Sequence, residues 1–146
     1  MKLSELQENW STDSKLDETN LGREATSIPS LHAKYLNLLS STKLQQRKAE
    51  SDYFRLRRKK FRYYRGEMTQ TELAEEEWVQ WQGAKPLKNE MDEFLQCDDE
   101  LIVVQDKVEY YRTMTFQLEQ ILRSINSRTW DIKNAIEWFK LSNGVM

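Results

Sequence analysis

Phe94 to Phe139 reads FLQCDDELIVVQDKVEYYRTMTFQLEQILRSINSRTWDIKNAIEWF, and the spacing of its apolar residues decides the fold. Phe94, Cys97, Leu101, Val104, Val108, Tyr111, Thr115, Leu118, Leu122, Ile125, Thr129, Ile132, Ile136 and Phe139 alternate by three and four, and all but the two threonines are apolar. A stripe of that period occupies one face of a helix and packs against another helix. It is longer than an ordinary core helix needs, so it either breaks near Asn126-Ser127 or runs on as a coiled-coil-like arm. The β-branched run Leu101-Ile102-Val103-Val104 also suits a strand, but no hairpin partner accompanies it, and the helix is favoured. The end of the stripe, Trp130 to Phe139, is amphipathic and rich in aromatics. It fits a subunit contact or docking on the chain's own core.

Working outward, the chain has only four glycines and two prolines, and these divide it into long helical segments. Residues 1–27 read as a short helix and a tether, with Leu3, Leu6, Leu16 and Leu21 as their apolar points. Ile28-Pro29-Ser30 has the form of a helix entrance, with Pro in the first turn, and Gly66 that of a helix end. A long helix is therefore expected over 28–66. Thr69-x-x-Glu72 has the spacing of a capping box, which places a short acidic helix over 69–83, stopped by Gly83 ahead of Pro86. Residues 87–146 hold the C-terminal helices for packing and oligomerisation. The expectation is an all-α fold in one helical domain.

Composition adds bounds. With 38% hydrophobic and 32% charged residues in 146 positions the core is thin, while 11% aromatics, five of them Trp, argue against disorder and for burial between subunits. Self-association is expected. No apolar run approaches the ~18 residues of a membrane span, and Met1 to Ser11 lacks the apolar centre of a secretory signal. A soluble, intracellular protein without membrane partners is expected. Cys97 stands alone, so no intrachain disulfide can form, and it reads as a small packing residue.

Arg55 to Arg65 reads RLRRKKFRYYR: seven of eleven residues are basic and none is acidic. The rest of the chain then carries 15 basic against 24 acidic residues, so the protein is acidic with a basic stripe. Arg55, Arg57, Arg58, Lys59, Lys60, Arg62 and Arg65 suit phosphates, and Phe61, Tyr63 and Tyr64 suit unstacked bases, the two ingredients of single-strand binding. On a helix Arg55, Arg58, Arg62 and Arg65 share one face, Lys59 borders it, and Arg57 and Lys60 lie away from it. Glu67 to Asp106 holds 12 acidic and two basic residues, read as a solvated face more readily than as a dock for a basic partner.

An enzyme is hard to assemble from these residues. The single histidine, His32, has no partners spaced for a metal site or a triad, and there is no phosphate-binding glycine loop. The carboxylate runs Glu75-Glu76-Glu77 and Asp98-Asp99-Glu100 lie in highly charged stretches, unlike the apolar surroundings that raise a pKa for acid–base work. No cofactor and no metal is expected. A coiled-coil adaptor whose basic stripe meets an acidic neighbour is the alternative to nucleic-acid binding. RNA is as compatible as DNA, since charge and stacking do not distinguish the sugar.

The sequence resembles the UvsY recombination mediators of T-even-type bacteriophages, nearly end to end. The likeness is carried by Met1-Lys2-Leu3 with Leu6-Gln7-Glu8, by Lys34-Tyr35-Leu36-Asn37 with Ser40-Ser41, by the basic run ending in Tyr63-Tyr64, and by Ser127-Arg128 with Ile132-Lys133 and Ile136. The resemblance implies a non-enzymatic, ring-like homo-oligomer, hexameric or heptameric, in the cytoplasm of the infected host. It would organise single-stranded DNA, help displace the phage single-strand-binding protein and load a RecA-like recombinase. The family's Lys-x-Arg pair falls on Arg58 and Lys60, with the residue types exchanged. Its oligomerisation helix falls on the segment around Trp130, Ile132, Ile136 and Phe139, here more aromatic through Trp138 and Phe139; Leu122 and Ile125 of the apolar stripe are expected to take part in the same contact.

Overall fold

The three-and-four alternation folds as helix, but as three helices and not one. The computed structural model describes residues 1–144, so the last two positions of the expected 87–146 segment lie outside the described residues. Six helices follow in order: α1 (Leu3–Asp13), α2 (Leu21–Tyr64), α3 (Gln70–Glu76), α4 (Met91–Gln96), α5 (Asp99–Asn126) and α6 (Arg128–Ser142). Among the described residues there is no strand, and Leu101–Val104 lies in the opening turns of α5. The stripe is interrupted before α5, where the Asp98 carboxylate accepts the Leu101 N–H at 3.0 Å and caps the helix. It is interrupted again at Ser127, between α5 and α6.

Within the stripe Leu101, Val108, Thr115, Leu118, Leu122, Ile125 and Ile132 are buried. Cys97 is exposed at the end of α4, not packed, because the chain turns there before the stripe re-forms. Ile136 and Phe139 are also exposed, so the stripe extends past the part that the chain itself covers.

Other boundaries differ from the sequence expectation. Helix α2 begins at Leu21, with Glu24 N–H bonded to the Asn20 carbonyl, and Pro29 therefore lies inside it. The missing Pro29 donor leaves the Ala25 carbonyl without its helical partner, and this turn of α2 is on the surface, where water can replace it. Ahead of it Asp17 accepts both the N–H and the hydroxyl of Thr19, a local turn that ends the tether and launches the helix. At the far end Gly66, at φ +70°, closes α2 as expected. Helix α3 is shorter than the expected 69–83. Thr69 caps it by accepting the Glu72 N–H, but Glu77 takes a left-handed conformation at φ 59°, and Trp78 N–H returns to the Leu73 carbonyl. Gly83 ends no helix; a Cβ there would stand 2.4 Å from the Trp81 ring, which folds back to donate its Nε1–H to the Ala84 carbonyl.

The chain forms two compact units: Met1–Lys43 with Thr113–Met146, and Leu44–Arg112. The first buries Leu6, Tyr35, Leu39, Met114, Leu118, Ile121, Leu122, Ile125 and Ile132. Its polar fastener is the buried Arg128, whose guanidinium donates to the Asp13 and Lys15 carbonyls at 2.9 and 3.1 Å and to Glu24 at 2.9 Å. Arg128 thereby satisfies carbonyls that the end of α1 leaves open. The second unit has a core of Met91, Leu95 and Leu101, with Tyr53, Leu56, Phe61 and Tyr64 packed against it.

Candidate nucleic-acid interface

Helix phase sorts the basic stripe of α2 into inward and outward cations. Lys60 points inward: it is 6% exposed, its ammonium lies 3.2 Å from Asp98 and 3.4 Å from Glu100, and it sits 4.1 Å over the Trp78 ring. Tyr64 donates its hydroxyl to the same Asp98 at 2.7 Å. Burial pushes the Asp98 carboxyl up, but the bonds from Tyr64, the Leu101 N–H and Lys60 outweigh it and hold the group below its ordinary value. Burial and the neighbouring Asp98 push the Tyr64 phenol the other way, well above its usual range.

The remaining cations are nearer the surface, and most of them have a carboxylate. Arg62 grips Glu72 through two guanidinium nitrogens at 2.6 and 3.1 Å, and this hydrogen bonding holds Glu72 below the ordinary carboxylate value. Lys59 pairs with Glu76 at 2.5 Å, Arg57 with Asp92 at 3.3 Å, Arg65 with Glu67 at 3.0 Å, and Arg55 loosely with Asp52 at 3.9 Å. Arg58 is exposed, and among the described residues it has no carboxylate within ion-pair distance. Glu67, Glu72, Glu76, Asp92, Asp98 and Glu100 all come from the acidic stretch read as a solvated face and pair with the chain's own stripe; Asp98 is buried and Glu72 and Glu76 are half-buried, which corrects that reading for these three, while Glu67, Asp92 and Glu100 stay exposed.

The three aromatics of the stripe are also engaged. Phe61 packs against the Met91–Leu95–Leu101 cluster and carries the Arg65 guanidinium 5.5 Å from its ring centre. Tyr63 donates to the Val79 carbonyl at 2.6 Å and stacks at angles on Tyr64, Trp78 and Trp81. Tyr64, Trp81 and Phe94 meet edge to face, with centroids 5.0 to 6.0 Å apart. All three stripe rings remain half-exposed.

Two turns earlier on α2 the pattern reverses. Arg47 and Lys48 are exposed without an ion pair among the described residues, and Phe54 is 66% exposed. Arg47 and Lys48 lie outside the dense basic run that begins at Arg55, so local charge density does not single them out. The signal that reaches them is phase: Arg47 and Arg58 are eleven residues apart, three helical turns, and share a face.

Among the described residues no three His, Cys, Asp or Glu side chains are grouped to hold a metal ion, and no helix is long and apolar enough to cross a membrane. Fold and site together define an all-helical protein with its positive charge concentrated on one helix, the makeup of a helical nucleic-acid-binding protein. The comparisons narrow that class. The pattern of the family of UvsY, a recombination, repair and single-stranded-DNA-binding protein, matches residues 9–145, and the chain belongs to this family. Recombination protein UvsY of Enterobacteria phage T4 is 27% identical over 134 residues, 92% of each chain. Two crystal forms of the bacteriophage T4 recombination mediator protein UvsY match with TM-scores of 0.84 and 0.80. Both are 25% identical, and they cover 98% and 97% of this chain and 98% and 99% of theirs.

Proposed function

We propose that the protein is a recombination mediator that binds single-stranded DNA on the outward face of α2 and loads a RecA-like recombinase while helping to displace the phage single-strand-binding protein. The observation that carries this is the row of exposed cations on one helix face, in a chain of this family. It acts in the cytoplasm of the infected cell, as a scaffold without catalysis of its own. Of the stripe, Arg55, Arg58, Lys59, Arg62 and Arg65 meet phosphate. Arg57 contributes from the edge, while Lys60, Phe61, Tyr63 and Tyr64 support the helix that carries them.

Assembly supplies the rest of the affinity. Trp130, Trp138, Phe139 and Leu141 of α6 are each more than 60% exposed, Ile136 is 38% exposed, and they lie around the helix, not along one side of it. A helix apolar on several sides is stable when buried, and a second copy of the chain is the occupant proposed here. Leu122, Ile125 and Ile132 serve this contact from beneath, by fixing α5 and α6 in the core. A hexameric or heptameric ring then sets several basic faces along one strand, and each bound face raises the local concentration of the next.

Sedimentation and oligothymidine anisotropy on a Trp130→Ala/Trp138→Ala/Phe139→Ala variant test this. The expected result is a smaller species with at least about tenfold weaker binding; a monomer with full affinity would overturn it. Recombinase turnover on strands coated with the single-strand-binding protein should rise on adding the wild type and not the variant.

A further inference from the structure

Between Leu44 and Arg58 the exposed face of α2 carries Arg47, Lys48 and Arg58 without an ion pair among the described residues, with Phe54 between them. Residues 47, 54 and 58 recur at i, i+7 and i+11, and residues 48 and 55 run beside them seven apart, so these side chains share one side of the helix. Of the two carboxylates nearest in sequence, Glu50 is turned aside, accepting from Gln46 and facing Arg112 at 3.8 Å, while Asp52 flanks the face and meets Arg55 at 3.9 Å. Phe54 touches Tyr53 edge to face, with centroids 5.6 Å apart, while Tyr53 itself, Leu56, Phe61 and Tyr64 turn toward the core. Two-thirds of the Phe54 surface remains in water, which packing does not explain.

A phosphate approaching Arg57, Lys59, Lys60, Arg62 or Arg65 must first separate it from Glu67, Glu72, Glu76, Asp92 or the Asp98–Glu100 pair. At Arg47, Lys48 and Arg58 it meets cations without an ion pair among the described residues, beside the open ring of Phe54. We infer that Arg47, Lys48, Phe54 and Arg58 are the first-contact site for single-stranded nucleic acid. Phe54 stacks an unstacked base, and the three cations neutralise phosphates over about 16 Å of helix. The carboxylate-paired stretch engages afterwards, as phosphates exchange for Glu72 and Glu76. This inference rests on the single-strand-binding reading above and specifies where on α2 that binding begins.

The test uses the full chain and a fluorescent oligothymidine at several salt concentrations. Arg47→Ala/Lys48→Ala should bind about tenfold more weakly and lower the slope of log affinity against log salt by about 1.4, two single-strand phosphates' worth. Phe54→Ala should bind about tenfold more weakly with the slope unchanged, since stacking releases no counterions. A wild type that binds while both variants stay within about twofold of it, with equal slopes, would overturn the inference and leave the parent reading standing. So would altered sedimentation of Phe54→Ala at unchanged affinity, which assigns the face to a second copy. A wild type that does not bind the oligothymidine would overturn both.

Discussion

Arg58 and Lys60 stand two residues apart on one helix and lie in opposite surroundings. Arg58 is in solvent without a carboxylate, whereas Lys60 is buried between Asp98, Glu100 and the face of Trp78. Two residues rotate a helix by about 200°, so neighbouring cations of one basic run cannot all face the same ligand. The resemblance treats these two positions as one DNA-binding pair; the fold places one at the surface and buries the other. Local charge density therefore overstates what a polyanion can reach. Helix phase, and the carboxylates that the fold returns to the helix, decide the rest.

The buried member of the pair is the more sensitive to substitution. Lys60→Ala leaves Asp98 charged and unpaired in the interior, and should lower the unfolding free energy by about 3–5 kcal/mol in urea denaturation. Arg58→Ala should stay within about 0.5 kcal/mol of wild type. Next comes a rescue: Lys60→Met/Asp98→Asn removes both charges, and the amide oxygen of the new side chain keeps an acceptor for the Leu101 N–H. The double variant should regain about 1–2 kcal/mol over Lys60→Ala in the same assay.

Acid sharpens the contrast by titrating the partner. The Asp98 carboxyl is held below its ordinary value of 3.8, so the stability it provides is complete above that value and is lost as pH falls through the lowered one. Asp13, also held low, acts likewise in the first unit: burial raises it, but Lys34, Tyr35 and Arg128 more than offset this. Melting temperatures measured from about pH 5 to about pH 3 should fall, and less steeply for Asp98→Asn than for wild type. The smallest effect lies at the surface. Glu72→Gln/Glu76→Gln frees Arg62 and Lys59, and should tighten oligothymidine binding a few-fold at low salt while changing stability by less than about 1 kcal/mol.

Much of this architecture was legible because helical period is a local property. The Leu101–Ile125 stripe, the Thr69 cap and the Gly66 stop all follow from spacing, and the structure bears them out. The family was legible from short segments in a common order. What escaped depended on distant partners. Nothing near Pro29 says that the turn at Asp17 starts α2 earlier, and nothing near Glu77 says that Trp78 leaves the helix to cover Lys60. Cys97 keeps the period of the stripe, yet lies where α4 ends. The acidic stretch read as solvent-facing because most of its counter-charges are distant in the chain, as with Arg62–Glu72 and, farther apart, Lys60–Glu100.

The central claim, that outward cations of α2 bind the strand and inward ones hold the fold, is tested most directly by lysine acetylation mapped by mass spectrometry, with and without oligothymidine. Lys48 should be modified rapidly in the free protein and protected by the strand, and Lys60 should be inert in both states. Rapid modification of Lys60 in the free protein, with DNA protecting it and leaving Lys48 unchanged, would place the strand on the inward cations instead.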